Sequence, residues 1–286
     1  MSKFLDDFEK FIDAQPFSII RASHVQGDGE IETLDYSGGN PCQNTYSVAK
    51  LFTATAIGML WDAGKLQLDE KVCDILSDFV PETGMDVRWH ETTVEDVLTH
   101  RAGLPGGFLD IDTTAVSIFG ADFLHYLFTF PLAYEPKTES RYSDGAFYLL
   151  SRIVSAKTDE KLDDFLWKNM LWKLGFQEMA WSHCPKGYPM GATGLYIHSS
   201  DMVKLGMLYL NGGTYKGERF ISEDWCRMAT EKEFAVDWDE THTIYYKGGM
   251  FGQKLIIHPA ANRVLALQAY GANSETVAKW VREYEE

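Results

Sequence analysis

The chain has 286 residues, 45% of them hydrophobic and 24% charged, enough for a sizeable core in one large domain or in a domain with an inserted lobe. Its formal net charge of -16 repels phosphate backbones and anionic lipid, which argues against nucleic acid and membrane surfaces as partners. Four scattered cysteines (Cys42, Cys73, Cys184 and Cys226) form no C-x-x-C pair, and the histidines show no ligand spacing, so no disulfide framework, metal or cofactor is indicated.

Phe4, Leu5, Phe8, Phe11 and Ile12 recur at helical spacing, so the chain opens with an amphipathic helix. The opening is acidic, lacks the apolar core of a signal peptide, and no window reaches the roughly 18 apolar residues of a membrane helix. A cytoplasmic location is therefore expected. Residues 17–24 and 30–36 read as two strands around the turn Gly27-Asp28-Gly29. A buried helix then starts near Ser47 and ends near Gly64, and residues 65–79 make a turn and a short helix closed by Pro81.

From about residue 82 the pattern is helical and loop-rich. Helices are expected over 94–99, 121–130, 145–156 and 162–174, with a glycine turn over 101–107. Residues 200–210 form another helix, ended by Asn211-Gly212-Gly213. Strands return at 244–250, 253–258 and 264–270, before a closing helix over 275–284. The expected architecture is α+β: an antiparallel sheet drawn from both chain ends, flanked by terminal helices, with an inserted all-helical lobe. Residues 1–80 and 186–286 would form the sheet domain and 81–185 the lobe.

Three short stretches carry chemistry. Ser47 and Lys50 form an S-x-x-K at a helix start, where an amine one turn from a hydroxyl can serve a nucleophile that lacks a histidine base. Unpaired N–H groups at that helix end favour an oxyanion. By itself the pattern also describes a serine cap followed by a surface lysine. Tyr142-Ser143-Asp144 precedes another helix and can offer a phenol for proton transfer and a hydrogen-bonding side chain, although a cap beside a core tyrosine would look the same. Lys247-Gly248-Gly249 ends an apolar strand, where two glycines let a ligand approach the backbone and the next N–H, on Met250, can donate to an oxyanion. A plain bulge fits that triplet too.

In order and approximate separation, the three stretches resemble the motifs of serine β-lactamases and penicillin-binding proteins, in particular the class C-like branch with its related esterases and amide hydrolases. The likeness extends further. Val97 to Leu104 resembles the family's LLTHTSGL turn, and Glu135-Pro136-Lys137 through Asp144 resembles EPGTxFxYSN. Gly194 through Gly213 resembles GGLxSTxxDLAKFGxLxLNGG, and Gly249 with Gly252-Gln253 the GxxGQ strand of esterase-like members. It covers roughly residues 15 to 275.

The resemblance implies a β-lactamase/transpeptidase-like fold and acyl transfer. Ser47 would attack a carbonyl, and Lys50 and Tyr142 would move its proton, with the choice of base left open. Lys247 would keep both pKa values low, and the N–H groups of Ser47 and Met250 would hold the oxyanion. Asp144 stands where the family commonly has Asn. An ionised carboxylate cannot donate to a substrate's acylamino group, but it can pair with Lys50 or favour a cationic substrate. Gly248 replaces the usual Thr. The expected activity is hydrolysis of a small ester or amide through a Ser47 acyl-enzyme, and the expected partner is a small-molecule ester, amide or β-lactam. The alternatives are a true β-lactamase or D-alanyl-type peptidase, and a penicillin-binding or sensing module with slow or no turnover.

Overall fold

The computed structural model describes residues 1–285. They fall into two compact units, Met1–Val48 with Phe176–Ala180 and Leu195–Glu286, and Ala49–Gly175 with Trp181–Gly194. The helical unit thus starts at Ala49, where the sequence reading started it at residue 81. The reason is local: helix Ala49–Asp62 is buried at nearly every position, Lys50, Thr53 and Thr55 included, and packs on helix Asp144–Thr158, inside that unit.

In the first unit, the expected hairpin forms strands Ile19–Gln26 and Glu32–Asp35, with Ala22 opposite Leu34. The three late strands are Tyr245–Gly248, Lys254–His258 and Arg263–Ala269. The sheet runs Glu32–Asp35, Ile19–Gln26, Arg263–Ala269, Lys254–His258, Tyr245–Gly248 and Asp237–Trp238, every neighbour antiparallel. Strands from the two ends of the chain therefore pair at its centre, with Val25 opposite Val264 and Ala22 opposite Leu267.

Side chains alternate across the pleat. On one face Ala22, Leu34, Ile256, Leu265 and Leu267 pack with Phe4 and Phe8 of helix Lys3–Asp13 and with Val277 and Val281 of helix Ser274–Glu283. On the other, Leu255, Ile257 and Val264 meet helix Ser199–Leu210. Its Gly206 has no room for a side chain, since a Cβ there would lie 2.5 Å from Val264 Cγ1. Coverage on both faces explains why strands Lys254–His258 and Arg263–Ala269 are buried at every residue.

In the second unit, helix Asp144–Thr158 is the hub, buried from Asp144 through Val154 and packed by helices Ala49–Asp62, Val94–Leu98 and Leu162–Leu166. Ser143 caps it by accepting from Ala146 N–H at 3.3 Å, and Asp159 ends it in the left-handed conformation with φ 60°. The single helix expected over 162–174 is divided. After Leu166 the chain widens into a π-helical turn, Trp167–Leu171, in which Trp172 N–H reaches back to the Trp167 carbonyl. That turn sends both Met170 and Leu171 inward. Among the described residues, no helix is long and apolar enough to cross a membrane.

Candidate active site

The first unit holds Ser47, Lys247, Gly249 and Met250. Ser47 lies in a short 3-10 turn, Tyr46–Val48, that runs straight into helix Ala49–Asp62. The approach to it is fixed from both sides. Thr45 N–H and Oγ1 both donate to the Leu195 carbonyl, at 2.8 and 2.9 Å, and Tyr46, with φ 48°, donates to Asn44 Oδ1 at 2.9 Å. The Tyr46 ring then meets Phe251 edge-on at 5.2 Å.

Gly249 is extended, and its requirement is space. A Cβ on it would stand 2.5 Å from the Thr45 carbonyl oxygen, 2.9 Å from Gln253 Cβ and 3.3 Å from the Ser47 amide nitrogen. The strand end and the nucleophile's backbone can therefore touch only because residue 249 has no side chain. Just beyond it, Met250 opens a turn, Met250–Gly252, and its N–H donates no hydrogen bond among the described residues. Lys247 is buried on strand Tyr245–Gly248, with its Nζ 3.6 Å from the Asp237 carboxylate.

The second unit holds Lys50, Tyr142 and Asp144. Lys50 is wholly buried in helix Ala49–Asp62 and points its ammonium at Asp144 Oδ1, 2.6 Å away, and at the Ala192 carbonyl at 3.1 Å. It also lies 4.6 Å from the centre of the Tyr142 ring. Burial alone would lower the lysine pKa. The Asp144 carboxylate, with a smaller contribution from Tyr142, outweighs burial, so the pKa is raised above the ordinary 10.5. This corrects the expectation that Lys247 keeps the amine's pKa low: Lys50 is held as a cation. Of the two roles open to Asp144, pairing with Lys50 is the one found.

Tyr142 is 46% exposed, so its position depends on its backbone. His100, with φ 57° in the Thr99 to Gly107 turn, supplies most of that support. Its carbonyl accepts from Arg141 N–H at 2.8 Å, and its Nδ1 accepts from Ser143 N–H at 3.3 Å, which leaves the ring proton on Nε2. The Tyr142 carbonyl itself accepts from Gly107 N–H at 2.9 Å, and the His100 and Tyr142 rings lie 4.6 Å apart. His100 sits inside the turn motif quoted above, but nothing in the motif gave it a task. His100→Ala should lower kcat about 10- to 100-fold by loosening the phenol, with little change in KM. His100→Asn, which tolerates a left-handed backbone and keeps an acceptor, should recover most of that loss. Steady-state kinetics on the two variants checks both.

A second feature was not foreseen. Asp110 and Asp112 bring carboxylate oxygens within 4.8 Å of one another and of Asp144. Asp112 accepts from Thr193 Oγ1, and burial, with the nearby Asp144 charge, raises its carboxyl pKa. The chain separation of Asp110 and Asp112 from the three motifs gave no sign of this proximity.

A beta-lactamase family model matches residues 43–282. The chain is 32% identical over 273 residues to penicillin-binding protein 4 of Amycolatopsis lactamdurans, covering 79% of this chain and 71% of that one. Two further curated relatives are longer, and the chain spans 27% and 64% of them. Among solved structures, a putative beta-lactamase from Bacteroides dorei superposes with a TM-score of 0.78 at 13% identity, over 98% of this chain and 97% of that one. A class C beta lactamase from Rhodobacter sphaeroides gives 0.69 at 18% identity, over 97% of each. At such identities these two likenesses show the fold.

Proposed function

The chain belongs to the beta-lactamase family of serine hydrolases, and on that premise we propose that it cleaves a small ester or amide through an acyl-enzyme on Ser47, with Tyr142 as the base. The observation that carries this reading is the buried ion pair of Lys50 with Asp144. An ammonium held by a carboxylate 2.6 Å away has no lone pair to accept the serine proton. Its charge instead faces the Tyr142 ring, 4.6 Å from the ring centre, which leaves the phenol as the group to take the serine proton. Ser47 and Lys50 follow each other along one helical run, three residues apart.

Ser47 Oγ attacks the carbonyl carbon as its proton passes to the Tyr142 phenolate. The oxyanion takes hydrogen bonds from the N–H groups of Ser47 and Met250. Collapse breaks the bond to the leaving group, which receives the proton from Tyr142. Water then attacks the acyl-serine, giving up a proton to the phenolate, and the acid departs as Ser47 is reprotonated.

Asp144 disfavours efficient β-lactam hydrolysis, because it is committed to Lys50 and donates nothing to an acylamino group. The test is intact-protein mass spectrometry on wild type and Ser47→Ala, with a fluorophosphonate, a penicillin and a short-chain p-nitrophenyl ester. The expected outcome is a fluorophosphonate adduct that needs Ser47, ester turnover, and slow or absent penicillin turnover. A lasting penicillin adduct with no ester turnover would replace this reading with a binding or sensing role. No Ser47-dependent adduct from any probe would remove the catalytic assignment.

A further inference from the structure

Helix Asp144–Thr158 bears a second charged group that the chemistry above does not use. Arg152 is 97% buried by residue surface, being 3% exposed, yet no carboxylate pairs with it among the described residues. Its guanidinium is stacked between two rings instead, 3.6 Å from the centre of Tyr188 and 4.7 Å from that of Phe79. Its hydrogen bond, from Nη1 to Tyr148 Oη, is long at 3.4 Å, and its Nε is buried with no acceptor. Ring faces compensate a cation's charge but leave the N–H edge unsatisfied. Burying a guanidinium in that state is costly unless something else completes it.

Arg152 lines a pocket of about 400 Å³, within the range of small-molecule sites. The opposite requirement is present in the same pocket. Glu160 Oε1 accepts from Lys168 Nζ at 2.6 Å, while its Oε2 is buried with no donor. Asp78 and Asp159 line the pocket too, and it lies at the C-terminal end of the hub helix, where the peptide dipoles favour a positive group. One pocket therefore holds an unanswered cation edge and an unanswered carboxylate oxygen, with Phe79 and Tyr188 as apolar walls.

We infer that this pocket binds a small zwitterion, an α-amino acid with an aromatic or apolar side chain. Its carboxylate sits on the edge of Arg152, its ammonium on Glu160 Oε2, and its side chain against Phe79. The inference does not depend on the Ser47 chemistry and involves no bond breaking.

The test is calorimetric titration of the full chain with phenylalanine, and with phenylacetate and phenethylamine, each of which carries one of the two charges. Phenylalanine should bind saturably and about tenfold or more tighter than either half-probe. Arg152→Lys, which keeps the charge but loses the fork, and Glu160→Gln should each weaken phenylalanine about tenfold or more. Ester hydrolysis should be unchanged in both variants. Glu160→Gln alters a partly exposed side chain, so it carries the test even if Arg152→Lys fails to fold. No saturable binding up to about 20 mM would overturn the inference, as would binding that Glu160→Gln leaves intact, or half-probes that bind as well as phenylalanine.

Discussion

Tyr142→Phe should reduce kcat/KM for a p-nitrophenyl ester by about 10²- to 10⁴-fold, the range for losing a general base. The substitution removes one oxygen, a partner of the buried Lys50 ammonium, from a side chain that is 46% exposed, so stability should fall by only about 1 kcal/mol. A large kinetic loss beside so small a shift of the melting curve is thus attributable to the chemistry. The pH profile separates the two candidate bases. If the phenol is the base, the variant loses the limb of kcat/KM that rises with pH, whereas with Lys50 as base the limb persists at a modestly lower rate. Retention of most of the rate would return the proton to Lys50, against the ion pair described above.

Asp144→Ala should produce the largest change in stability. It leaves the Lys50 ammonium buried without its carboxylate, and removing one member of a buried pair costs about 3–5 kcal/mol. Thermal unfolding followed by circular dichroism should show a fall of roughly 10 °C. The pH dependence has a definite sign. The folded pKa of Lys50 is raised above 10.5, so the pair's contribution is complete below that pH and is lost as pH climbs through the folded value. In the variant, burial without the carboxylate lowers the Lys50 pKa, so its penalty is relieved as the amine loses its proton, and the gap between wild type and variant should narrow as pH rises from about 7 toward about 10. Pairing Asp144→Leu with Lys50→Met should recover most of the stability and none of the activity. If Asp144→Ala melts with wild type, the carboxylate is not what allows Lys50 to be buried.

Much of the sheet was readable because each strand covered on both faces is a run of apolar residues bounded by turn residues, as at Lys254–His258 and Arg263–Ala269. The three motif stretches were readable for another reason: chemistry restricts which residues occupy them. Strands of two residues, Gln43–Asn44 and Asp237–Trp238, carry too few positions for alternation to register. Helix Glu223–Glu231 was legible in principle from the Ser222 cap, which accepts from Trp225 N–H, but only Trp225, Cys226 and Ala229 are buried in it. What spacing could not convey was proximity across the chain: Asp112 beside Asp144, His100 beneath Tyr142, and Asp237 against Lys247. Those contacts decide charge states, and so the sequence left the identity of the base open.

The pairing of Ile19–Gln26 with Arg263–Ala269 has a consequence for biosynthesis. Strand Ile19–Gln26 leaves the ribosome long before Arg263–Ala269, the neighbour it pairs with, has been made. Until then its inner edge is an unpaired template, open to any extended segment nearby. The helical unit, whose largest piece is the continuous stretch Ala49–Gly175, faces no such wait. Synthesis thus passes through a long interval in which the nascent chain's early hairpin depends on chaperones or on weak local structure, and a ribosome that stops short of residue 263 releases a chain that cannot complete its sheet.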